Sequence, residues 1–197
     1  MTSGRLEVRW HGPYKFFGAK DDSVLTTSLS SQLGIYLWTI PFEDKYLTYY
    51  VGETGRSFAI RFMEHARDLL NGLYRIYDPD EFAEGRKTMV WGGMWKPGRK
   101  DPGTMLEFLN RYLEMSQFIY RYLGQFRFFL APINVEKRIR QRIEAAIAKK
   151  LHQQTGLVGN FQDSDIRYLP RRAGEQPISV IIKFFEPVLG LSSELKV

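Results

Sequence analysis

The sequence predicts an α+β fold with an antiparallel sheet at its centre. Three observations carry that expectation. Gly34 to Ile40 and Tyr46 to Gly52 are β-rich and flank the link Pro41-Phe42-Glu43-Asp44-Lys45, the pattern of a hairpin. A helical segment follows at once, with Ile60, Met63, Ala66 and Leu70 at three- and four-residue steps. Later, a strand over Phe126–Ile133 leads into a helix over Val135–Gln153. Hairpin, helix, insertion, helix, strand, helix and tail is the order of an α+β chain.

The remaining elements follow from local signals. Leu6 to Trp10 is a short strand candidate, and Thr26 to Gln32 is a polar lead-in to the hairpin. Ser57 is placed to cap the first helix, and Asn71-Gly72 to end it. Residues 73–124 are less regular. Thr88 to Trp91 reads as a strand, Trp95 to Gly103 as a loop, and 105–124 as a helix. The apolar side of that helix is marked by Met105, Leu106, Leu109, Leu113, Phe118, Tyr122 and Leu123. The helix Val135–Gln153 turns Val135, Ile139, Ile143, Ile147 and Leu151 inward, and Ile178 to Phe185 reads as the final strand.

Composition sets the bounds. A chain of 197 residues, 44% hydrophobic and 15% aromatic, has ample material for one packed domain. With no cysteine, disulfides, thiol catalysis and cysteine-bound zinc are excluded. The net charge of +6 favours an anionic partner such as nucleic acid. No membrane helix or signal peptide is visible, so a cytoplasmic setting is expected.

Three groups of residues can carry chemistry. If the hairpin turn centres on Glu43, Tyr36 lies opposite Tyr50, Trp38 opposite Thr48 and Ile40 opposite Tyr46, so both phenols meet on one face. A slip of one residue would separate them. Arg61 and His65, four residues apart, share a helix face away from the apolar stripe. Glu144 sits beside Ile143 at the edge of the later helix's apolar face. Around it run Lys137, Arg138, Arg140, Arg142, Lys149 and Lys150, a surface suited to a phosphate backbone.

Together these elements resemble the GIY-YIG nuclease family. The residues that carry the likeness are Gly34-Ile35-Tyr36, Tyr50-Val51-Gly52, Arg61-Phe62-Met63-Glu64-His65, Glu144 and Asn160. It covers residues 33–72 and 125–161. Val51 replaces an isoleucine, the hairpin link is long for the family, and 73–124 is a large insertion. The resemblance implies a small antiparallel β-sheet flanked by helices over 33–161, with an N-terminal extension over 1–32 and a C-terminal extension over 162–197.

It further implies a divalent-metal-dependent endonuclease, with Mg2+ expected and Mn2+ as a substitute. Glu144 would hold the metal, Arg61 clamp the phosphate and Tyr36 serve as general base. His65 would assist that phenol and Tyr50 would position phosphate or water. Gly52, Arg56, Arg140 and Asn160 are expected at the substrate. The expected partner is double-stranded DNA, read by a stand-alone, restriction-type enzyme with a homodimer for cutting both strands. The rival expectation is a non-catalytic or RNA-directed binding protein that keeps the fold. Aromatic strands such as Phe126 to Phe129 suit base stacking as well as core packing.

Overall fold

Residues 5–95, 101–163 and 166–197 are described by the computed structural model. Strand β1 (Arg5–Arg9) and β2 (His11–Tyr14) precede the hairpin β3 (Gly34–Phe42) and β4 (Lys45–Thr54). Helix α1 (Phe58–Leu70) follows. The insertion holds β5 (Ile76–Tyr77), α2 (Pro79–Ala83), β6 (Met89–Trp91), α3 (Pro102–Asn110) and α4 (Tyr112–Gln125). Then come β7 (Arg127–Pro132), α5 (Lys137–His152), α6 (Leu157–Phe161), β8 (Ser179–Lys183) and β9 (Glu194–Lys196).

The fold is α+β, with small sheets flanked by helices, as expected. The central sheet is antiparallel in the order β2-β7-β3-β4, so β4 is an edge. Alternation along the strands gives each face its own core. Tyr36, Trp38 and Ile40 join Phe128 and Leu130 on one face, under Phe58 and Phe62 of α1 and Met115, Ile119 and Tyr122 of α4. Ile35, Leu37, Val51, Phe129 and Ala131 line the other face, against Ile143, Ile147 and Leu151 of α5.

Several expectations are corrected. The hairpin closes through a two-residue turn at Glu43-Asp44, where Glu43 has φ 53°, and not through a five-residue link. A bulge at Tyr49 then shifts the register again. Tyr36 therefore pairs with Gly52, Trp38 with Tyr50 and Ile40 with Leu47. Turn and bulge together displace the pairing of Tyr36 from Tyr50 to Gly52, a slip of two residues. An even slip leaves both phenols on one face.

The apolar stripe of α1 was assigned to the wrong side. Ile60, Met63 and Leu70 are exposed, while Phe58, Phe62, His65 and Leu69 are buried. Aromatic rings on the sheet draw in the phenylalanines, which the helical period alone did not favour. The segment 105–124 is broken at Arg111 into two helices, and Leu106, Leu109 and Leu113 face outward. Strand β8 is not the last one. It pairs in parallel with β1 and antiparallel with β9, so the N-terminal extension and the tail meet in a second sheet. In the expected loop 95–103, residues 96–100 lie outside the described residues.

Candidate active site

Ser57 caps α1 as expected, its hydroxyl accepting from the Ile60 N–H at 3.3 Å. The cap starts the helix directly after β4, and one turn later Arg61 and His65 point back at the sheet. Both reach the hydroxyl of Tyr36. Arg61 Nε donates to Tyr36 Oη at 3.1 Å, and His65 Nε2 lies 2.8 Å from the same oxygen. Glu64 steadies this arrangement, binding Arg61 Nη1 at 3.3 Å and the Arg56 guanidinium at 2.6 Å.

Gly52 explains why the phenol fits. A Cβ at Gly52 would lie 2.4 Å from both Cζ and Oη of Tyr36. The bare backbone of β4 is the bed on which the Tyr36 ring lies, carrying its hydroxyl toward the sheet edge. Gly52→Ala is expected to cost about 1–3 kcal/mol through overpacking and to move Oη away from Arg61. Thermal melts check the first effect and a structure of the variant the second. A variant as stable as the parent would refute this role.

The charges follow from burial. Burial pushes the His65 pKa well below the ordinary imidazole value, and the Arg61 charge adds to this, so the ring is neutral. Since Arg61 donates to Tyr36, the phenol O–H is directed to His65 Nε2, which leaves the ring proton on Nδ1. Burial raises the Tyr36 pKa, and Arg61 opposes the rise. Burial also works against the Arg61 charge, but Tyr36, Tyr50 and Tyr74 outweigh it and hold the guanidinium protonated. Tyr50 packs 5.9 Å from Tyr36, ring centre to ring centre, and burial lifts its pKa further still.

Glu144 arrives from the opposite face of the sheet. Its helix packs under β4, and its Oε1 accepts from the Glu53 N–H at 2.9 Å. Because β4 is an edge, a side chain from α5 can meet groups from α1 around it. Glu144 feels the Arg61 charge and in turn acts on Tyr36 and Tyr50. Burial, reinforced by the Glu53 carboxylate, raises its pKa to about 7. A carboxylate held this way gains from a nearby cation.

The other expected substrate contacts divide. Arg56 is exposed beside the cluster and pairs with Glu64. Arg140 is buried at 6% exposure, bonded to Glu53 Oε2 at 3.0 Å and to the Val135 carbonyl at 2.5 Å. It braces the β4–α5 junction and does not face a ligand. Arg142 is likewise buried, donating to the Gln176 and Val197 carbonyls, and Arg138 is paired with Glu175. Of the six cations expected to track phosphate on α5, Arg138 and Arg142 hold the tail and Arg140 braces the hairpin. Asn160 is exposed on α6, and no hydrogen bond joins it to Glu144 among the described residues.

Three residues at this centre were not singled out from sequence. Glu53 follows the second triad directly, and its position next to Gly52 was an available signal. Tyr74 donates to Asp68 at 3.2 Å from the start of the insertion. Tyr168 stands in the tail, its pKa raised first by burial and then by the Glu144 charge. Neither tyrosine had a local pattern to mark it.

The donor set suits a hard divalent cation. Among the described residues, no group of three or more His, Cys, Asp or Glu side chains gathers into a cage. Mg2+ commonly takes one or two carboxylates and keeps several waters, so Glu144 meets that need while the Glu53 carboxylate stays paired with Arg140. Among the described residues, no helix is long and apolar enough to cross a membrane. No protein-family model, curated protein or solved structure matches the chain, and the site stands on its own geometry.

Proposed function

We propose that the protein is a divalent-metal-dependent endonuclease of the GIY-YIG type, hydrolysing DNA phosphodiester bonds. One observation carries this: Tyr36, Arg61 and His65 share one hydrogen-bonded centre, with the buried Glu144 brought to it around the β4 edge. Three segments distant in sequence supply the groups that phosphate hydrolysis needs.

In this mechanism Arg61 clamps the scissile phosphate and opposes the charge that grows on it. Tyr36 takes a proton from the attacking water as its own passes to His65 Nε2. The neutral ring presents a lone pair at Nε2, and because burial makes it a weak base the two transfers are concerted. Tyr36 is closed off from solvent, so side chains around it must move before water and phosphate reach its oxygen. Glu144 would hold the metal, with Glu53 N–H fixing the carboxylate's orientation. When bound, Mg2+ or Mn2+ polarises the phosphate oxygens and stabilises the leaving group.

In the same proposal the enzyme acts in the cytoplasm, and cutting both strands of a duplex calls for two copies of the chain. The test uses supercoiled plasmid, linear duplex, single-stranded DNA and RNA, each with Mg2+ or with chelator. Metal-dependent cutting of duplex DNA supports the proposal. Tight binding without cutting under any metal would leave a binding module. Duplex binding is also expected to weaken steeply with salt, because each neutralised phosphate releases counterions. A flat response between about 50 and 200 mM salt, read by fluorescence anisotropy, would refute contact with the backbone.

A further inference from the structure

Beside the catalytic cluster lies a cavity of about 500 Å3, bordered by Tyr50, Arg61 and His65 on one side and by the insertion and tail on the other. That volume falls within the roughly 300–1,000 Å3 of small-molecule sites. Its walls are aromatic: Trp38, Tyr50, Tyr74 and Trp95 all border it. Trp95 is 60% exposed, with its ring centre 5.9 Å from that of Tyr74. Beyond that contact more than half of the indole stays open at the cavity mouth. Trp91 and Met94, just before it, are the buried residues of that loop, and the Trp91 indole N–H is bonded to the Gly72 carbonyl at 2.7 Å.

The polar groups fit a nucleotide. Arg61 and Arg167 border the cavity, with the carboxylate of Asp163 between the tail and the sheet. Trp38 is 4% exposed, and its indole N–H has no partner among the described residues. Aromatic walls stack bases irrespective of sequence, while guanidiniums hold the attached phosphate.

We propose that this cavity receives a single nucleobase turned out of its stack, on the nucleotide adjoining the phosphate that Arg61 clamps. Enzymes that act on a base turn it out of the stack into a pocket, where aromatic and apolar side chains stack on it, and the walls of this cavity are of that kind. The substrate would then be a nucleic acid whose base is already unpaired or easily extruded, such as a mismatch, a bulge or a junction. The proposal rests on the nuclease function above for the identity of the neighbouring phosphate. Its test is independent of cleavage.

The four deoxynucleoside 5′-monophosphates and deoxyribose 5-phosphate are titrated into the full chain by isothermal calorimetry. The monophosphates are expected to bind roughly ten- to hundredfold more tightly than the base-free sugar phosphate. Trp95→Ala, at an exposed position, is expected to abolish most of that difference while leaving the melting temperature unchanged. Tyr74→Phe keeps the ring and is expected to retain it. Equal affinity for nucleotide and sugar phosphate, or no detectable binding of either, overturns the pocket. If that happens while metal-dependent cleavage persists, the pocket falls and the nuclease stands. Base-dependent binding without any cleavage keeps the pocket and removes the nuclease.

Discussion

Glu144→Gln is expected to reduce cleavage by more than about 10^3-fold while making the protein more stable above neutral pH. The two effects share one cause. The Glu144 pKa is raised from 4.5 to about 7, chiefly by burial. Between those values the folded state retains a proton that the unfolded chain has lost. Stability therefore falls as pH rises through this window, and the full penalty is present above about pH 7. Its ceiling is about 3 kcal/mol, and a neutral glutamine that keeps the bond from the Glu53 N–H relieves it.

Melting curves at pH 8 and pH 4.5 measure this directly. The variant should melt above the parent at pH 8, and the gap should close at pH 4.5. Mg2+ should raise the parent's melting temperature at pH 8 and leave the variant's unchanged, because only an ionised carboxylate attracts the cation. Parent cleavage should decline as pH falls below about 7, as the metal ligand becomes protonated. An active Glu144→Gln enzyme, or one with no altered pH dependence of melting, would sink the assignment.

Tyr36→Phe carries the second large effect. The ring packs against Phe62 at 5.1 Å between centres and fills the space over Gly52, so phenylalanine preserves the shape. What goes is the single oxygen shared by Arg61 and His65. Leaving two such groups without their partner should cost about 1–3 kcal/mol of stability. The loss of a proton acceptor should lower the single-turnover cleavage rate by about 10^2- to 10^4-fold. DNA affinity in metal-free buffer should stay close to the parent's, since Arg61 remains. A fall in affinity with an unchanged rate would assign Tyr36 to binding and remove it from proton transfer.

The hairpin, the cap at Ser57, the strand over 127–132 and the inward face of α5 were all legible in the chain. So were the pairing of Tyr36 with Tyr50 and that of Arg61 with His65, because strand and helix periods fix which neighbours share a face, whereas the placing of Glu144 beside them came only from the resemblance to the nuclease family. The stripe of α1 was misread. Phe58, Phe62 and His65 are as well spaced for a helix as Ile60, Met63 and Ala66, and only the sheet's aromatic residues choose between them. The register of β3 and β4 differs too, because the turn sits at Glu43-Asp44 and a bulge at Tyr49, which leaves no local mark, adds a second residue of slip.

By itself the sequence determined the types of element and the residues with chemical capacity, since backbone periodicity and side-chain chemistry are local properties. Tertiary structure alone decided which of those residues are free to act. Arg140 and Arg142 look like phosphate ligands beside Glu144, yet the fold buries them against carbonyls and Glu53. The cavity under Trp95 is likewise assembled from hairpin, helix, insertion and tail. Burial and long-range pairing depend on chain segments that no local window contains, so they appear only when the sheet edge, the two helices and the tail are brought together.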